Sequence, residues 1–359
     1  MSMFAFKPDP DFSRLRKALL RQGEPDHVPL YELFADLEIV YEVIKHDEWV
    51  HPASKALVNA VKSRLIKFYY MLGYDYVPLF ALATFPRDNR VSVSDTAALS
   101  RGQRSWQDEH HGVINNREDF EKYPWPSPES VDYSAFETLA GKLPDGMKII
   151  GMTSGVLENV MWLTGYETLA RLLYEDPQLA SDMFHRVGET LVSVHQTLAR
   201  MDCIGAVAMG DDMGFKTSTM ISPRHLREYV FPWQKRIVTA AHSGDKPFIL
   251  HSCGNLKTIM NDLIDFVGID AKHSYEDQIL PVTEAKRLYG SRVAVAGGLD
   301  MDLLCRASPG EVRRHTRRVI DECAPGGGYC LGTGNSVANY INLENYLTML
   351  DEGRRNSSV

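Results

Sequence analysis

Apolar and polar positions alternate along this chain in blocks. Short apolar runs end in polar or glycine-rich residues, and each is followed by a stretch of helical periodicity. Eight such runs stand out: VPLYEL (28–33), YVPLFAL (76–82), KIIGMTS (148–154), CIGAVAMG (203–210), PFILHSC (247–253), GIDAKHS (268–274), RVAVAGG (292–298) and GYCLGTG (328–334). Among the helical stretches between them are ETLARLLYEDPQLASDMFHRVGETLVSVHQTLARM (167–201), SPRHLREYVFPWQKRIVTAAHS (222–243) and SPGEVRRHTRRVIDECA (308–324). Asp176-Pro177 predicts a break between two helices in the first of these, because proline disfavours helical backbone in the residue before it.

Near-continuous apolar strands alternating with helices predict a parallel sheet covered on both faces. Eight units, with no shift of composition and no flexible linker, predict an α/β fold of one kind: a single (β/α)8 TIM barrel spanning residues 1–359. A helical extension precedes the first strand. Residues 83–146 form a long insertion after the second, expected to carry a hairpin and to lie over the barrel mouth.

In such a barrel the C-terminal ends of the strands converge on one site. The first run ends in Tyr31 and Glu32, the third leads to Glu158 one turn on, and the fourth ends in Asp211 and Asp212. The fifth delivers His251 and Cys253, the sixth His273 followed by Glu276, the seventh Asp300, and the eighth Asn335 and Ser336. Asp300, Ser336 and one of Asp211 and Asp212 are also good helix caps.

Capping does not explain a histidine and a cysteine two residues apart. Side chains at i and i+2 of a strand share a face, about 6.6 Å apart along the chain. Imidazole and thiolate together suit zinc. Cys330 on the eighth strand is the first choice for a third ligand, with Asp211, Asp212, Glu158, His273 and Glu276 as alternatives.

Composition narrows the partners. The 359 residues include 39 basic and 47 acidic side chains, a formal charge of −8, which disfavours nucleic acid or an anionic membrane as the main partner. No run reaches the roughly 18 apolar residues of a membrane span. Five cysteines and no secretory leader predict a cytoplasmic protein without a disulfide framework.

Three segments carry a family resemblance: ILHSCGNLKTIMNDLIDFVGID, VAVAGGLDMDLL and GGGYCLGTGNSVANYINLENYLTMLDEGRR, with the opening LLRQGEPDHVP. Together they resemble the uroporphyrinogen decarboxylase superfamily from about residue 13 to 353, and its corrinoid-dependent methyltransferases more than its decarboxylases. The region where the decarboxylases carry an arginine-rich motif reads EPDHVPLYELFADLE and has no arginine to clasp tetrapyrrole carboxylates. The methyltransferase branch holds zinc through His-x-Cys and a later Cys; His251 and Cys253 match the pair, and Asn335 falls where the later Cys is expected.

The resemblance implies a zinc-dependent methyltransferase. It would move a methyl group between a small-molecule donor or acceptor and a corrinoid carried by a partner protein, since no D-x-H-x-x-G corrinoid pattern occurs in this chain. It also makes a homodimer plausible. Asp211, Asp212, Glu32 and His273 are then the catalytic candidates, Tyr31, Glu158 and Asn335 the substrate-binding ones, and His251, Cys253 and Cys330 the metal set. The competing expectation is a decarboxylase or lyase for a small carboxylic acid, with Arg87, Arg90, Arg101 and Arg104 of the insertion as carboxylate binders.

Overall fold

A computed structural model describes residues 7–44, 55–87, 90–107 and 112–355, with the backbone alone at 55–62, 90, 106 and 107. Its strands are β1 (Tyr76–Phe80), β2 (Arg90–Ser94), β3 (Gln103–Gln107), β4 (Lys148–Ser154), β5 (Ile204–Gly210), β6 (Phe248–His251), β7 (Ala271–His273), β8 (Ala294–Ala296) and β9 (Tyr329–Cys330). Seven of them form one sheet in the order β1-β4-β5-β6-β7-β8-β9, every pair parallel. The inner strands of this sheet bury both faces, as in IGAVAMG of β5, where only the last residue is not fully enclosed.

The first predicted strand takes a reduced form. Residues 28–35 meet the segment after β9 through two isolated parallel bridges, Leu30 to Leu331 and Ala35 to Val337. On their other side no backbone ladder joins them to β1. Instead the Tyr76 hydroxyl accepts from the Glu32 N–H at 2.7 Å and donates to the Glu32 carbonyl at 2.6 Å. One phenol thus closes the barrel at a seam.

The helices pack outside the sheet. Asp176 caps the helix Pro177–Arg200 by accepting from Leu179 N–H at 3.0 Å, and the preceding helix ends at Glu175, so the break falls at the predicted dipeptide. The insertion holds the antiparallel hairpin β2–β3 and the helices Arg117–Lys122 and Ser134–Ala140. The hairpin is moored to the rim. Arg101 meets Asp36 at 2.7 Å and Glu38 at 3.2 Å, while Asn339 Nδ2 donates to Asp95 at 2.7 Å. No helix among the described residues is long and apolar enough to cross a membrane.

Candidate metal centre

Strand β6 stops at His251, and the chain turns over Ser252 and Cys253 into Gly254, whose φ is +79°. A Cβ on Gly254 would lie 2.3 Å from the Gly214 carbonyl carbon, and one on Gly214 would lie 2.6 Å from the Cys253 oxygen. Two glycines therefore let the loop after β5 touch the loop after β6. That contact brings Asp212 to Cys253, whose N–H donates to Asp212 Oδ1 at 2.7 Å.

The result is a cluster of one nitrogen, one sulfur and one carboxylate. Ligand atoms of Asp212, His251 and Cys253 all lie within 4.8 Å of one another. His251 Nε2 is 3.5 Å from Cys253 Sγ and 3.7 Å from Asp212 Oδ1. Asn335 Nδ2 donates to Cys253 Sγ at 3.3 Å, and Ser274 Oγ stands 3.5 Å from the same sulfur. Ser274 has φ +135°, a strained backbone for a residue with a Cβ, and its hydroxyl donates to the Gly334 carbonyl at 2.6 Å. Behind His251, its Nδ1 lies 2.8 Å from His273 Nδ1, and His273 Nε2 lies 3.2 Å from the Thr333 carbonyl.

Burial sets the electrostatics. It pushes the His251 imidazole down to about 3, so the ring is neutral at physiological pH. Burial, reinforced by the Asp212 charge, pushes the Cys253 thiol up to about 12. Glu158 is raised well above the carboxylate range by burial first and by Asp212 second. Burial also draws Lys272 down to about 8; its ammonium donates to the Ser274 carbonyl and sits 4.2 Å from the centre of the Tyr275 ring.

The remaining candidates fall into separate places. Asp211 is fully buried and caps the helix Val156–Thr164, accepting from the N–H groups of Val156 (3.0 Å), Leu157 (3.3 Å) and Glu158 (3.0 Å), and from Gln234 at 2.8 Å. Asp300 caps its own helix through Asp302 N–H. Glu32 is enclosed behind the site and binds Thr333. Tyr31 packs its ring edge-on to His273 at 5.1 Å. Glu276 accepts from Gly254 N–H at 3.1 Å.

Cys330, the first choice of third ligand, lies outside this group. It shares a register row with Ala296, His273 and His251, but strand tilt carries that row down the barrel axis. The residue level with the imidazoles is Thr333, three places further, so Cys330 lies roughly 10 Å deeper along its strand. Asp212 stands beside His251 and Cys253 instead. The arginines of the insertion face different partners: Arg101 the rim carboxylates, Arg87 the Trp162 ring at 4.0 Å and Arg104 the Tyr340 ring at 5.6 Å. The side chain of Arg90 lies outside the described residues.

Lys272, Ser274 and Thr333 were not among the predicted residues. A lysine inside the apolar run GIDAKHS was the one sequence signal, since a buried lysine needs partners. The roles of Ser274 and Thr333 depend on a backbone path that residue types do not reveal.

A curled parallel sheet with ligand-type side chains gathered beyond its strand ends defines an α/β barrel with its candidate chemistry at the C-terminal mouth. The family model for uroporphyrinogen decarboxylase (URO-D) matches residues 109–355, and the chain belongs to that family. A uroporphyrinogen decarboxylase of Thioalkalivibrio sulfidiphilus is 30% identical over 189 residues, covering 50% of each protein. One from Alcanivorax borkumensis is 23% identical over 291 residues, 75% of this chain and 79% of that one. The chain thus spans about half the length of the first of these relatives in the matched region. Among solved structures, a methyltransferase from Methanosarcina mazei superposes with a TM-score of 0.71 at 15% identity, covering 97% of this chain and 99% of that one. At that identity the likeness concerns the fold.

Proposed function

We propose that this protein is a zinc-dependent methyltransferase that moves a methyl group between a small molecule and a corrinoid carried by a partner protein. The observation that carries the reading is the convergence of Asp212, His251 and Cys253 at the barrel mouth. A neutral imidazole, a thiol and a carboxylate suit zinc, and three protein ligands leave a position for a substrate atom. Zinc, when bound, supplies a Lewis acid that activates a coordinated thiol or turns an ether or alcohol oxygen into a better leaving group.

The chain's own groups fit around that chemistry. Asn335 donates a hydrogen bond to the Cys253 sulfur and orients it. Glu158, its carboxyl raised by burial and by Asp212, holds a proton that a departing oxygen needs. With a carboxylate in place of a second thiolate, the ligand set is harder, which favours an oxygen-bound over a sulfur-bound methyl group.

Metal analysis of the purified chain tests this. The expected result is one zinc per chain, lost in His251→Ala, Cys253→Ala and Asp212→Ala and kept in Cys330→Ala. Mixing the zinc-loaded protein with methylcob(III)alamin or cob(I)alamin and candidate methyl acceptors or donors should interconvert the two corrinoid spectra. Full activity in metal-free protein would sink the reading. The competing reading, a decarboxylase or lyase, draws on the decarboxylases among its relatives; carbon dioxide release from a small acid, with no corrinoid turnover, would favour it.

A further inference from the structure

A histidine ligand works through one ring nitrogen, and the side chains behind His251 decide which one. His273 Nε2 faces the Thr333 carbonyl at 3.2 Å. A carbonyl only accepts, so the His273 proton sits on Nε2 and its Nδ1 carries the lone pair. That Nδ1 lies 2.8 Å from His251 Nδ1, and two ring nitrogens at this distance share one proton, which only His251 is left to supply. His251 Nε2 is then bare, and it is the atom that faces Cys253 Sγ and Asp212 Oδ1.

The series has an anchor. Thr333 N–H donates to Glu32 Oε1 at 2.9 Å, and its Oγ1 is 2.5 Å from Glu32 Oε2 and 2.8 Å from the Asn335 carbonyl. We propose that Glu32, Thr333 and His273 form a positioning relay that fixes His251 in its Nδ1–H tautomer and aims the bare Nε2 at the ion. The purpose of the relay rests on the metal reading above. The tautomer itself does not.

Two measurements on the full chain test it. In metal-free protein labelled with 15N-histidine at pH 7.5, NMR reads the protonation of each ring nitrogen. Signals are assigned by their loss in His251→Gln and His273→Asn. Protonated Nδ1 on His251 with protonated Nε2 on His273 is expected; the opposite tautomer in either ring, or a charged His251, overturns the relay.

Zinc affinity by chelator competition is the second measurement. His273→Leu removes the acceptor and is expected to weaken zinc by about 10- to 100-fold. His273→Asn keeps an acceptor near the Nδ1 position and should recover most of that loss. Wild-type affinity in the leucine variant, or no recovery in the asparagine variant, overturns the relay. Wild-type protein that binds no zinc, yet has the expected tautomers, refutes the metal reading and upholds the hydrogen-bond relay.

Discussion

Glu32 is a carboxyl enclosed where a charge is poorly tolerated. The Thr333 hydroxyl has one proton and two oxygen neighbours, so both contacts become hydrogen bonds only if Glu32 carries a proton of its own. Burial accordingly pushes this carboxyl up to about 8. The unfolded chain releases the same proton near the ordinary glutamate value of about 4.3. Between the two values the folded state holds the extra proton, so this contribution to stability is complete below about 4 and is lost as pH rises through 8. Glu32→Gln mimics the protonated acid. It is expected to match wild type near pH 4 and to be more stable at pH 8 by a few kcal/mol, with urea midpoints across that range as the check. Little of this was legible beforehand. The sequence marked Glu32 as a strand-end carboxylate, but its depth follows from the path of residues 28–35 beside β9. His251 and Cys253 were legible as a pair because they stand two residues apart where an apolar run ends, although Cys253 meets the imidazole from the turn beyond β6 and not by strand parity. Their partner was not, because Cys330 matches in residue type while Asp212 matches in position.

At the scale of elements, the run GDDMG after β5 divides two tasks between adjacent carboxylates. Asp212 reaches Cys253 across the paired glycines, whereas Asp211 reaches back to cap the helix that follows β4. A cap was expected from one of this pair; that it serves the neighbouring unit was not, since capping rules concern a residue's own helix. Asp211→Ala leaves three N–H groups without their acceptor in a closed interior and Gln234 Nε2 with the Met213 sulfur alone. A loss of about 2–4 kcal/mol in chemical denaturation is expected, a cost larger than that of a surface cap. The strands were the most readable elements. KIIGMTS maps onto β4 residue for residue, and PFILHSC contains β6 with its ends trimmed. VPLYEL was the exception: residues 28–35 meet the segment after β9 through two isolated bridges, and the Tyr76 hydroxyl makes their junction with β1.

For the whole molecule, that seam is the place where closure rests on a side chain. Tyr76 is buried among Tyr31, Tyr69 and Tyr74, with ring centres 5.8, 5.9 and 5.9 Å away, so its ring is held whether or not it carries a hydroxyl. Tyr76→Phe would keep the packing and strip both Glu32 backbone groups of their partner, at an expected cost of about 1–3 kcal/mol in thermal or urea unfolding. From β1 round to β9, each neighbouring strand pair shares a backbone ladder. With one junction carried by a side chain and the next by two isolated bridges, the cylinder behaves mechanically like a split ring. Amide protons along residues 28–35 and β1 should therefore exchange with solvent ahead of those in β4 to β7, through openings that spread the slit without unfolding the rest. Because Glu32 lies on one lip of that slit and also anchors Thr333, each such opening would loosen the support of His251. The breathing of the barrel and the orientation of the His251 imidazole would then share one hinge.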